Sequence, residues 1–200
     1  MKIIANPHFF SNLVLCFFCI FILWKRSKDQ RLYNFLLLGV FILCIFLTAL
    51  TDMLAFLGLT ALANSYRFFN VSAMVLGPVC LVSVTWSLIR HKPASGLQFW
   101  TSVSLGILLL TSLYWYQVSY LGIIIQSFCI LLVMLISILG LAARQKSALY
   151  LIIAMVLYAL IAKAGKIPLP MVPKDMEHYL LTLTLVSIGK AFNTEFRYIF

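Results

Sequence analysis

Residues 9–24 read FFSNLVLCFFCIFILW and run straight into Lys25 and Arg26. A helix needs about 20 mostly apolar residues to cross the hydrocarbon core of a bilayer, and this stretch with its flanks supplies them. The positive cluster follows the apolar run instead of preceding it, and no A-x-A site comes after. The segment therefore reads as a retained anchor with its N-terminus outside, not as a cleaved signal peptide.

Working outward, six more stretches of the same kind occupy about 34–58, 68–89, 97–115, 119–142, 148–164 and 177–196, beside the first at about 7–24. The 148–164 segment is the shortest. Composition agrees: of 200 residues, 64% are apolar and 10% charged, and mean hydropathy is +1.06. Soluble domains carry about 25% charged residues, so the polar surface here is too small to cover a water-soluble core. The net charge of +10 reflects scarce acids, five in all against fifteen Lys and Arg, and nucleic acid is not an expected partner. The expected fold is all-α, a polytopic integral membrane protein built as a seven-transmembrane-helix bundle, with one transmembrane domain over residues 1–200. Such tight spans leave no room for a soluble catalytic domain.

Lys and Arg in short loops set orientation. Lys25, Arg26, Lys28, Arg31, Arg90, Lys92, Arg144, Lys146 and Arg197 fall on one side, against Lys2, Arg67, Lys163, Lys166 and Lys174 on the other. The bias puts the N-terminus outside and the C-terminus in the cytoplasm, and the expected location is the bacterial cytoplasmic (inner) membrane, multi-pass. Gly77-Pro78 in the third span predicts a kink. The prolines at 168, 170 and 173 predict a stiff, extended connection before the last helix. The five cysteines, Cys16, Cys19, Cys44, Cys80 and Cys129, all fall inside spans and read as packing residues, Cys16-x-x-Cys19 included.

Ionisable groups inside spans are costly and face the bundle interior or a watery cavity. On the last helix, positions 175, 178, 182, 186, 190 and 193 advance by three or four and read Asp, His, Thr, Val, Lys, Asn. That stripe is expected to face the bundle, with Leu180, Leu183, Leu185 and Ile188 opposite. A second pattern is positional: Asp52, Arg67, Asn70, Asp175, Glu177 and His178 map to the outer ends of helices 2, 3 and 7. The expected ligand-binding set is Asp52, Arg67, Asn70, Asp175, His178 and Lys190, with Arg67 paired to a carboxylate. His178, Asp175 and Asp52 are the catalytic candidates, because a histidine with carboxylates can exchange protons or hold a metal. The chain has three histidines; His8 reads as N-terminal tail and His91 as loop. No metal site is therefore expected unless His8 folds over the mouth, and no cofactor is identified.

Two resemblances attach to short fragments. Seven spans and Lys190 in the last helix look like the retinal proteins, where such a lysine forms the Schiff base. Here Val186 precedes it by one turn, Asn70 stands where that family has an acid, and helix 6 has no tryptophan. Asp52 and Asp175-x-x-His178 are similar to the seven-helix membrane hydrolases of the alkaline ceramidase and adiponectin-receptor type. That family implies more histidines, including a second in the last helix, where this chain has Thr182. Neither fragment names the family. The expectation is a binding, sensory or accessory membrane protein engaging a lipid or small amphiphile at the outer cluster. The alternatives are a membrane-embedded hydrolase, and a small-solute or proton-coupled transporter using Lys190 and Gln126. Beyond the lipid bilayer itself, the sequence specifies no partner or oligomeric state.

Overall fold

A computed structural model describes residues 7–27, 32–116, 118, 120–166 and 172–199. Among these residues the chain forms seven α-helices: α1 Pro7–Ser27, α2 Leu32–Phe56, α3 Ala63–Ile89, α4 Gly96–Trp115, α5 Tyr120–Ala142, α6 Lys146–Ile161 and α7 Pro173–Ile199. Short 3-10 turns at Thr60–Leu62 and Ala164–Lys166 precede α3 and follow α6. In lipid every backbone N–H and C=O needs an internal partner, and a helix satisfies them within itself. Long apolar runs accordingly become helices here.

Five of the seven, α1 to α5, are long and apolar enough to cross a membrane. The other two fall short for different reasons. α6 has 16 residues, about 24 Å at 1.5 Å per residue, against a core about 30 Å thick. α7 is long but carries Lys174, Asp175, Glu177, His178 and Lys190. The expected boundaries shift by a few residues, most at α3, which starts at Ala63, and at α7, which runs Pro173–Ile199. Most of the proline-rich connection expected before the last helix lies outside the described residues, while Pro173 is the first residue of α7, where a missing N–H costs nothing.

The helices close a ring in the order α1, α2, α3, α5, α6, α7 and back to α1, with α4 outside it against α3 and, more lightly, α2. The core of the ring is Leu37, Leu38, Phe41 and Ile42 of α2, Leu81 and Val84 of α3, Leu151 and Met155 of α6, and Leu185 and Ile188 of α7. α3 continues as helix through Pro78. α4 approaches closely at Gly106, where a Cβ would stand 3.2 Å from the Leu76 Cα; a larger residue would push the two helices apart.

The outer surface is apolar. Phe17, Leu97, Leu108, Phe128, Leu139 and Leu183 are all exposed, as lipid-facing residues are. The aromatic amphiphiles gather at the helix ends. Trp24, Tyr33, Trp86 and Trp100 are exposed at one end of the bundle, and Tyr114, Trp115, Tyr116 and Tyr120 at the other. Two such belts are what the two interfaces of a bilayer select. The apolar helices and these belts point to a membrane-embedded protein.

At the first of these ends, α3 and α5 stop in the same way. His91 (φ 51°) and Arg144 (φ 60°) take left-handed backbone. The next amide reaches back in each case, Lys92 N to Ser87 O and Gln145 N to Gly140 O. This is the Schellman closure that satisfies the last carbonyls of a helix. Gln145 then ties the two closures together, donating from Nε2 to Ile89 O (2.9 Å) and meeting His91 Nε2 at 2.7 Å. The other end of the bundle holds the start of α1, the end of α2 and the start of α7, and it carries the chemistry.

Candidate functional site

α1 and α7 both begin at this end, and they pack side by side. His8, Ser11 and Asn12 lie at helical spacing (i, i+3, i+4) on the first two turns of α1 and share one face. Asp175 and His178 are spaced i, i+3 on α7. α2 arrives from the opposite direction and presents Asp52 in its last turns. Three helices thus converge on one polar cluster.

Asp52 is the anchor. Its Oδ2 accepts from Asn12 Nδ2 at 3.0 Å and lies 2.9 Å from His8 Nε2. Its Oδ1 accepts from Lys174 Nζ at 2.7 Å. The Lys174 ammonium also stands over the Tyr66 ring of α3, 5.4 Å from the centroid. Asp175 is deeper, with 1% of its surface exposed. Its Oδ1 accepts from Ser11 Oγ at 2.9 Å and lies 3.1 Å from His8 Nδ1. His8 therefore spans the two carboxylates, one through each ring nitrogen.

Ser11 is fully buried and sits among three partners: His8 O at 3.0 Å, Asp175 Oδ1, and His178 Nδ1 at 3.0 Å. A hydroxyl has one hydrogen to give. The set is satisfied when His178 Nδ1–H donates to Ser11 Oγ and Ser11 donates onward to Asp175. His178, half-buried, stacks on His8 with centroids 5.4 Å apart. One ligand atom from each of His8, Asp175 and His178 lies within 4.8 Å of the others. Among the described residues, two acceptor oxygens in this region, Asp175 Oδ2 and Asn12 Oδ1, are buried without a hydrogen-bond donor.

The expected site residues divide. Asp52, Asp175 and His178 come together. Arg67 is exposed and, against expectation, forms no ion pair among the described residues; the lysine on Asp52 is Lys174, from the first turn of α7. Asn70 is half-buried on α3 and, among the described residues, is not a hydrogen-bond partner of Asp52, Asp175 or His178. Lys190 is exposed three turns further along α7, as is Asn193, whereas Leu185 and Ile188 are fully buried. The polar stripe of α7 thus faces the bundle over Asp175, His178 and Thr182 and turns out of it beyond Val186. Burying Leu185 and Ile188 against the ring forces that turn. His8 belongs to α1 and to the cluster, not to a free tail.

The residues missed at the sequence level are Ser11, Asn12 and Lys174. The first two were visible as the only polar pair within the first apolar run, in helical register with His8. Lys174 falls in the connection before α7, where nothing in the sequence distinguishes it from an interfacial lysine. A second polar group, Gln98, Ser83, Ser87 and Ser102, bonds α4 to α3 through Gln98 Nε2 and Ser102 Oγ. It is an interhelical seam of the ordinary kind and holds no ionisable side chain.

Beside α2, on the side of α3 and α4, lies an apolar groove of about 740 Å³ lined by Val40, Leu47, Phe68, Leu76, Ile107 and Tyr114, among others. Comparison of the chain with protein-family models, with curated proteins and with solved structures finds no match.

Proposed function

We propose that the chain is a multi-pass integral membrane protein of the bacterial cytoplasmic membrane, with seven spans, N-terminus outside, that binds a lipid or small amphiphile through its outer polar cluster in a sensory or accessory role. One observation carries this reading: two histidines, two carboxylates, a serine and an asparagine from α1, α2 and α7 meet where a lipid-exposed bundle has every reason to exclude them. A purely structural seam is made with neutral hydrogen bonds, as those of Gln98 and Ser102 to Ser83 and Ser87 illustrate. The cluster brings three ionisable pairs and, among the described residues, leaves buried acceptors unanswered.

The amphiphile is supported by the apolar groove, whose size and lining suit a hydrocarbon tail. The groove lies against the same helix that carries Asp52, and its lining reaches Phe68 and Tyr114 at the cluster end. Arg67, next to Phe68 in sequence and exposed, supplies a cation at that end for an anionic headgroup. The second reading, a membrane-embedded hydrolase, is favoured by the contact of Ser11 with both His178 and Asp175, which would relay a proton. The transporter reading has less support, because Lys190 leaves the stripe and breaks the polar path along α7.

The test is binding of single-chain amphiphiles that share one tail and differ in headgroup, measured on the detergent-purified chain. His178→Ala and Asp52→Asn are expected to weaken binding of the preferred headgroup at least tenfold. Equal binding of all headgroups, unchanged in both variants, would refute the reading. Release of fatty acid from the same compounds decides between binding and hydrolysis.

A further inference from the structure

We infer that His8, Asp175 and His178 form a binding site for one divalent transition-metal ion, with zinc the best match to the ligand types. The inference takes the cluster as a binding site, as above, but stands on separate observations.

The first is geometric. Three donor atoms lie within 4.8 Å of one another. Around a four-coordinate ion with bonds of about 2.1 Å, donors sit about 3.4 Å apart, so the three need to close by an ångström or so. Two nitrogens and one carboxylate oxygen, with a position left open, are a set that zinc and its neighbours in the first row accept.

The second is an excess of acceptors. Asp175 Oδ2 and Asn12 Oδ1 are buried and meet no donor among the described residues. Among the described residues, Asp52 has the ammonium of Lys174, whereas Asp175 has only His8 as an ion partner. His8 Nδ1 and Asp175 Oδ1 face each other at 3.1 Å, so a cation belongs between them: the proton of an imidazolium, or a metal ion that takes both lone pairs.

The third is the outer support. Metal-bound histidines usually give their second ring N–H to a carboxylate, which fixes the tautomer and the ring. His8 Nε2 lies 2.9 Å from Asp52 Oδ2, and Asp52 is itself held by Asn12 and Lys174. The assignment follows: His8 binds through Nδ1, and Asp52 holds His8 without touching the ion. Ser11 Oγ, beside both Asp175 and His178, is placed to bond a water on the open position.

The full chain, purified in detergent with a histidine-free affinity tag, should carry about one zinc per chain by mass spectrometry. After chelation it should bind cobalt(II) with the ligand-field absorption of a four-coordinate ion, and either metal should raise Tm. His178→Ala and Asp175→Asn should abolish the cobalt band. Asp52→Asn should weaken metal binding by 10- to 100-fold, and Lys92→Gln, at the opposite end of the bundle, should leave it unchanged. His8→Gln, compared with wild type without metal, checks that a lost signal is not a lost fold. Metal-free wild type that takes up no cobalt overturns the inference, as does a His178→Ala chain that binds like wild type. If amphiphile binding still depends on His178 in that case, the ligand site survives without its metal. A metal site that binds fully while amphiphile affinity ignores the cluster has the opposite meaning.

Discussion

The rings of His8 and His178 stack with centroids 5.4 Å apart and planes 25° from parallel. They come from the first and last described helices, and Ser11 and Asp175 are threaded between them by hydrogen bonds. The contact ties the fold to the chemistry, because the same side chains that close the ring of helices also compose the candidate site.

Asp52 accepts from Asn12 and Lys174 and holds His8. Asp52→Ala removes the acceptor that all three share, and breaking a buried pair of this sort costs about 3 kcal/mol. Lys174→Met removes an ammonium that is 41% exposed, and after solvent screening this costs about 1 kcal/mol or less. Thermal unfolding of the two variants in one detergent should rank them in that order. Equal losses would mean that Asp52 serves only Lys174.

Gly106 lets α4 lie on α3 at backbone distance. Gly106→Leu should destabilise by about 1–3 kcal/mol through overpacking. Gly39→Ala meets nothing nearer than Leu23 Cδ2 at 3.9 Å and should change Tm little. A tolerant Gly106 would show that α4 can move outward at no cost.

Arg144 closes α5 with a positive φ of 60°, a conformation that costs an L-residue about 1–2 kcal/mol. Arg144→Gly should therefore raise stability, by about 1 kcal/mol, in the same unfolding assay. A fall in Tm would assign Arg144 an interaction that outweighs its strain.

The helical fold was legible because lipid leaves few options: apolar runs of span length become helices, and the boundaries of α2, α4 and α5 fall close to where the pattern places them. The candidate site was legible in part. Asp52, Asp175 and His178 stand out as ionisable groups in apolar surroundings. Periodicity alone put Lys190 with them, although it cannot register how Leu185 and Ile188 compete for the buried face of α7. His8 was read as tail because hydropathy does not show where a helix begins. Whether α1 packs beside α7 is a matter of tertiary closure, which no local pattern carries.

Lys190 is exposed, so Lys190→Leu should alter stability by no more than about 0.5 kcal/mol. Measured Tm checks this. A large loss would return Lys190 to the bundle.

Reporter fusions check the proposed topology. A reporter in the 25–33 loop and one at the C-terminus should both report cytoplasm, following the Lys and Arg bias. Opposite signals would give an even number of spans, with α6 the segment to re-examine.

Ser11 and Asp175 are bonded across 164 positions of sequence, and that distance is also a delay. At about 5–20 residues per second of synthesis, on the order of ten seconds separate the emergence of α1 from that of the helix that completes its partnerships. Through that interval the nascent protein holds His8, Ser11, Asn12 and Asp52 in or beside lipid with only one another for company. A product cut short before α7 keeps those polar groups unanswered, while a finished one conceals them. The residues that compose the candidate site are thus also the ones by which an unfinished chain differs from a finished one.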